Sequence, residues 1–188
     1  MTPRGKLLAL AAIFILPTIA SFAAFYLVPP SGHSSYGTLI RPVIALPGAS
    51  LPSAQDSAGA AERQLRGKWL LLTRDSGRCE ARCLNKLHIM RQARLILGRE
   101  QDRVVRVVLV DDDVQPSAGI QQQFSGTVWI AARDHPWLAA LGKAGLAAGD
   151  EIIGVDPLGN AFIRFPGDAD IKRLAQDIRR VLKASQIG

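Results

Sequence analysis

The sequence predicts an α/β domain, a central mixed sheet flanked by helices, behind a single N-terminal transmembrane helix. Three observations predict it. An uncharged apolar run extends from Leu7 to Val28. Two apolar stretches of strand length, KWLLLT and the valine-rich RVVRVVLVDDD, enclose a segment of helical periodicity. Beyond them, two further apolar strands meet at a turn and are followed by an amphipathic helix.

In chain order, residues 1–6 are a short stub carrying Arg4 and Lys6. Residues 7–28 follow, and at about 1.5 Å per residue they cover roughly the thickness of a bilayer's hydrocarbon core. A cleavable signal peptide has a shorter apolar region, about 7–15 residues, and a small-x-small site. SFAAFY supplies a poor one, so the span is read as an uncleaved anchor. Both basic residues precede the span, which places the N-terminus in the cytoplasm and the rest of the chain outside it. The expected location is the bacterial inner membrane, with the domain in the periplasm, where cysteines can oxidise.

Residues 29–62 are rich in Pro, Gly, Ser and Ala and read as an extracytoplasmic linker with short extended pieces. Residues 63–188 are long enough for one ordinary domain core. The net charge of +7 and a pI near 10.0 suit an anionic membrane surface or an acidic partner. Nucleic acid is excluded as a partner: aromatics are 6% of the chain, acids interrupt the basic residues, and no nucleic-acid motif occurs. There is also no Ser/His/Asp constellation, no phosphate-cradling loop and no H-E-x-x-H.

Within the domain, KWLLLT is a strand, Glu80 to Leu97 a helix stopped by Gly98, and RVVRVVLVDDD a second strand. A strand, helix, strand unit implies parallel strands and a right-handed crossover. TVWIAARDHPWLAALGKAG reads as a short strand, a turn and a helix with Asp134 as N-cap and Pro136 in its first turn. DEIIGVDPLGNAFIRF is a hairpin. The last helix repeats Ile171, Leu174, Ala175, Ile178, Val181 and Leu182 on one face, with Asp168 or Asp170 capping its start. Its other face, with Lys172, Arg173, Arg179, Arg180 and Lys183, reads as solvated. Trp69, Trp129 and Trp137 are expected in the core or at its edge.

The only two cysteines, Cys79 and Cys83, form C-x-x-x-C where the first strand hands over to the first helix. The helix dipole, with Arg78 and Arg82 beside the pair, is expected to lower a thiol pKa. A separation of four places both on one side of a first helical turn, close enough to share one ion or to form a bridge. Three readings follow. Two thiolates suit Cu(I), whereas structural zinc sites take four ligands. A redox pair would use Cys79 as nucleophile, being nearest the helix start. A structural disulfide is the third, although a small loop gives it little entropic leverage. Of the histidines, His33 lies in the linker and His88 faces away from Cys79 on the helix, so His135 is the best third metal ligand. Asp111, Asp112 and Asp113 end a parallel strand, where ligands of open α/β sheets collect, but hard carboxylates are poor Cu(I) ligands.

This order of elements resembles the thioredoxin fold. More closely, GKWLLL, a polar loop, C-x-x-x-C and a helix, then VVLVDDD, then IIGVDPLGNAFIRF resemble the SCO/SenC family over roughly Gly67 to Lys183. These are membrane-anchored thioredoxin-fold proteins that help load copper into cytochrome c oxidase. The resemblance implies assembly of a respiratory oxidase, with an oxidase subunit or its assembly factors as partner and Cu(I) as the metal. The family's copper-ligand histidine falls near Ala148, where this chain has none, and the proline that faces the cysteines of thioredoxin-type oxidoreductases is also missing there. The functions implied are Cu(I) transfer or thiol reduction of a partner's copper site through Cys79 and Cys83. General thiol-disulfide exchange and a non-catalytic scaffold with a structural disulfide are the alternatives.

Overall fold

The computed structural model describes residues 3–27, 35–48, 65, 67–146, 149–185 and 187. They fall into two compact units, Met1–Ser34 and Ser35–Gly188. The first is a single helix, α1 (Pro3–Leu27). Its stretch Pro3–Ala24 has a mean hydropathy of 2.3, long and apolar enough to cross a membrane. Leu10, Ile13, Phe14, Leu16, Ile19 and Phe22 all point outward, the surface that fits a membrane anchor.

The second unit is built on six strands: β1 (Thr38–Ala45), β2 (Trp69–Asp75), β3 (Val104–Val110), β4 (Thr127–Ala131), β5 (Glu151–Val155) and β6 (Asn160–Pro166). They lie side by side in the order β1-β6-β5-β2-β3-β4. β2, β3 and β4 are parallel, while β5 runs antiparallel to β2 and the β5–β6 hairpin and β1 continue the antiparallel half. Helix α2 (Ala81–Ile96) makes the crossover from β2 to β3 and passes into a 3-10 turn, Gly98–Arg103. A short α3 (Ala118–Gln123) precedes β4, α4 (Pro136–Lys143) follows it, and α5 (Ile171–Ala184) closes the chain.

Alternation along the central strands sorts the core into two layers. Trp69, Leu71 and Val104 face α2 and α5, where they meet Met90, Ala93, Leu174 and Ile178. Leu70, Leu72, Val107 and Leu109 face the other way, toward Trp137 and Leu141 of α4. Both faces of β2 and β3 are covered, which is why both strands read as continuous apolar runs rather than alternating ones.

One expectation is corrected and two are made specific. One of the short extended pieces expected within the linker, Thr38–Ala45, is an edge strand paired with β6; Pro42 and mostly exposed side chains give it little strand signature, and an edge position is where a sheet tolerates proline. The remaining linker residues, 29–34 and 49–62, lie outside the described residues. Helix α4 is capped by His135 rather than Asp134: the His135 Nδ1 accepts the Trp137 N–H at 3.3 Å, and Pro136 takes the first helical position. At the start of α5, Asp170 is the cap, accepting the Arg173 N–H at 2.8 Å.

Candidate functional site

Two parallel strands, β2 and β3, end side by side at Asp75 and Val110, and the cysteine loop leaves from the first of them. Residues 76–80 make a tight turn in which the Cys79 N–H donates to the Ser76 carbonyl at 3.0 Å. Cys79 then adopts φ 45°, the one non-glycine residue in the left-handed region among the described residues. That conformation costs about 1–2 kcal/mol for an L side chain. It reverses the chain so that Glu80 becomes the N-cap of α2. Cys79 therefore lies before the helix, and only Cys83 sits within its first turn. The four-residue spacing alone predicts both on one helical turn, and the left-handed residue takes Cys79 off it.

The two cysteines are joined as a disulfide, with their Cα atoms 5.0 Å apart. Both are buried, 2% and 1% exposed. They pack in a cluster with Leu87, Val108, Val110 and Phe124, against which Leu84, Ile120 and Trp129 also lean. Ile120 and Phe124 come from α3 and its end. That helix roofs the disulfide, although AGIQQQ gives little sign of a helix in the sequence: it is short, and Ser117 starts it by accepting the Ile120 N–H.

The loop after β3 holds the cysteine turn in place. Asp112 accepts from the Ser76 hydroxyl at 2.6 Å and from the Gly77 N–H at 3.0 Å, and it closes its own turn by accepting the Val114 N–H at 3.1 Å. The Ser76 hydroxyl, the two N–H groups and nearby Arg78 hold the Asp112 carboxyl below the usual carboxylate range. On either side, Asp111 pairs with Arg74 at 2.6 Å and Asp113 pairs with Arg133. The triple aspartate is thus a brace, with each carboxylate engaged.

From the other side, Lys86 anchors α2. It is 3% exposed, yet its Nζ has three acceptors: the Arg74 carbonyl at 2.9 Å, the Gly149 carbonyl, and the Asp75 carboxylate at 2.9 Å. Arg82, by contrast, is exposed and pairs with Asp150 at 2.9 Å. Lys86, Ser76, Gly77 and Phe124 were not singled out from sequence. A lysine at a position of α2 that the periodicity turns inward is the signal that would have found the first.

The histidines do not converge on the pair. His88 is exposed on α2. His135 caps α4 through Nδ1 and stacks edge-on against Trp137, ring centroids 5.4 Å apart. It follows β4, one strand beyond β3 from the cysteine loop, and lines a cleft of about 520 Å³ with Asp112, Asp113, Arg133 and Asp134. His33 and Ala148 lie outside the described residues. Among the described residues, no group of three or more His, Cys, Asp or Glu side chains is placed to hold a metal ion. Only in the reduced form would the cysteine turn offer two soft sulfur donors, a set too small for a closed four-ligand centre.

Comparison with known proteins agrees with this architecture. Residues 69–185 match the family described as transmembrane-like, thioredoxin-like, C-terminal domain. No curated protein sequence matches the chain. Among solved structures, the apo Sco1 protein of Thermus thermophilus is 17% identical with a TM-score of 0.55, over 82% of this chain and 98% of that one. Copper-bound yeast Sco1 is 15% identical with a TM-score of 0.51, over 65% and 83%. An SCO1/SenC family lipoprotein from Bacillus anthracis str. Ames is 16% identical with a TM-score of 0.51, again over 65% and 83%. The likeness is one of fold: a thioredoxin-like sheet and helices arranged as in SCO/SenC proteins.

Proposed function

The chain belongs to the transmembrane-like, thioredoxin-like C-terminal domain family, and from that premise we propose that it is a membrane-anchored, extracytoplasmic thiol-disulfide protein assisting assembly of a respiratory cytochrome oxidase. Its N-terminus is cytoplasmic, its domain periplasmic, and its task is to keep the copper-ligand thiols of an oxidase subunit or assembly factor reduced. The observation that carries this reading is the Cys79–Cys83 bond, closed across the head of α2 at the end of two parallel strands.

In the dithiol form, the Cys79 thiolate attacks one sulfur of a partner disulfide. That S–S bond breaks, the partner's other sulfur leaves as a thiolate, and a mixed disulfide forms. Cys83 then attacks the Cys79 sulfur, releasing the second partner thiolate and closing the bond seen here. Two electrons pass to the partner, and the released thiolates take protons from solvent. An extracytoplasmic dithiol donor resets the pair. Cys79 is assigned the first attack because it lies on the loop, outside α2.

Carriage of Cu(I) is the second reading, favoured by the two soft sulfurs whose Cα atoms stand 5.0 Å apart and by the copper bound in yeast Sco1. Both readings meet one experiment on the full chain in detergent: equilibration with glutathione buffers, then titration of the reduced form with Cu(I) against a competing chelator. A reduction potential above about −300 mV supports exchange, since structural disulfides lie below it. One Cu(I) per chain, lost in the Cys79→Ser, Cys83→Ser variant, supports carriage. A lower potential together with no copper binding would leave a scaffold with a structural disulfide.

A further inference from the structure

Arg106 places a charge in the middle of a strand buried on both faces. It lies between Val104 and Val108 on the side of β3 covered by α2, and it is 4% exposed. Its Nη2 donates to the Ser125 carbonyl at 2.7 Å. The Nε proton and both Nη1 protons have no acceptor, and no carboxylate pairs with it among the described residues. Its neighbours on the same face of β4 share the deficit. Thr127, opposite Arg106 in the register, leaves Oγ1 unpaired, and Trp129, opposite Val108, leaves Nε1 unpaired. Among the described residues these are all the buried side-chain nitrogens and oxygens without a partner, and they gather on one face of one strand pair.

The chemistry of the group is one-sided. Guanidinium and indole N–H groups only donate, and a hydroxyl can do either, so what the cluster lacks is an acceptor. It also lacks a negative charge. Burial, then Arg94, then Arg91 lower the Arg106 pKa to about 10, which leaves it a cation at neutral pH. Water can satisfy the donors, but it leaves the charge uncompensated. The cover is thin: Ser125 and Gly126 are exposed, and a Cβ on Gly126 would come within 3.3 Å of Nη2. The absent side chain leaves the guanidinium covered on that side by backbone alone.

We propose that Arg106, Thr127 and Trp129 form a binding site for a small inorganic anion, chloride or a compact oxyanion, held beneath the Ser125–Gly126 turn. The site is independent of the redox role of the cysteines, though it shares a sheet face with Val108 and Val110, which pack on the disulfide. The test is thermal unfolding of the full chain in non-ionic detergent, with chloride or phosphate replacing gluconate at constant ionic strength. The midpoint should rise with the logarithm of the concentration of the anion that fits, as expected for a ligand bound only by the folded state. That rise should shrink in Thr127→Val and Trp129→Phe and vanish in Arg106→Lys. A crystal soaked in bromide should show an anomalous peak within hydrogen-bond reach of Arg106. A midpoint indifferent to the anion, or an equal rise in wild type and the Thr127→Val, Trp129→Phe double variant, overturns the site and leaves ordered water as the partner.

Discussion

The carbonyl oxygen of Val114 lies 1.7 Å from the point that a Cβ on Gly77 would occupy. The cysteine turn and the turn after β3 therefore touch backbone to backbone, and only glycine fits between them. Replacing Gly77 with alanine must push the two loops apart, against the Asp112 hydrogen bonds that hold them together. Overpacking of this kind costs about 1–3 kcal/mol, and a backbone obstacle places Gly77→Ala at the upper end. Gly119→Ala is the control: its nearest obstacle is 4.0 Å away, inside α3, where alanine gains up to about 1 kcal/mol over glycine. Urea unfolding midpoints should move in opposite directions for the two variants.

Acid should loosen the same junction. The Asp112 carboxyl is held below its ordinary range by hydrogen bonds from the Ser76 hydroxyl and the Gly77 and Val114 N–H groups. An acid whose pKa is depressed by folding adds stability that is full above its unfolded value of about 3.9 and is lost as pH falls through the folded value. The amide resonances of Gly77 and Val114 should accordingly titrate together, with a midpoint below about 3.9. In Asp112→Asn that transition should disappear and the acid limb of the stability curve should flatten. A Gly77 amide that titrates at or above the ordinary carboxylate range would contradict the brace.

Reduction of the disulfide should be gated by α3. Both cysteines are almost wholly inaccessible, and Phe124 is part of the cluster that covers them. A reductant must wait for local opening, whose frequency depends on the stability of the cover. Each ~1.4 kcal/mol removed from it raises the open population about tenfold, and a buried Phe to Ala change removes about 3–5 kcal/mol in a well-packed core. Phe124→Ala should therefore speed reduction of Cys79–Cys83 by dithiothreitol by at least about tenfold, with Ile120→Ala smaller in the same direction. Thiol trapping followed over time reads both. An unchanged rate would mean that the sulfurs are reached by another route.

What the sequence discloses, and what it hides, follows from whether a feature is periodic or local. β2, β3, the β5–β6 hairpin and α5 declare themselves because burial imposes a repeat: Leu70 to Leu72 on two faces, Ile171 to Leu182 on one. The cysteine pair is legible as a pair at a strand-to-helix handover. Its burial is not, because the roof is a six-residue helix contributed from beyond the next strand. β1 is hidden by Pro42, and the left-handed turn at Cys79 has no glycine or asparagine to announce it. Arg106 offers a usable signal, a lone charge in VVRVVLV, but one easily absorbed into the apolar run around it. Lys86 is similar, since a lysine on a helix is by default a solvated residue.

Lys86 also sets the orientation of the cysteine helix. It sits three residues after Cys83, and its ammonium ties α2 to the end of β2 through the Arg74 carbonyl and Asp75, and to the loop before β5 through Gly149. All three of its protons have acceptors, so the buried charge is compensated as placed. Lys86→Met would keep the stem's packing but leave the Asp75 carboxylate and two carbonyls without their donor. Breaking one side of a buried pair costs about 3–5 kcal/mol, whereas replacing both partners with apolar groups of similar volume is near neutral. Lys86→Met should therefore lower stability by up to about that amount, and adding Asp75→Leu should recover only part of the loss, because it also removes the acceptor of the Ser76 N–H. Because the tether is adjacent to Cys83, the single variant should also shift the reduction potential of the pair, as measured by equilibration with glutathione. A single variant as stable as wild type would show that Lys86 is carried by its packing rather than by its three acceptors.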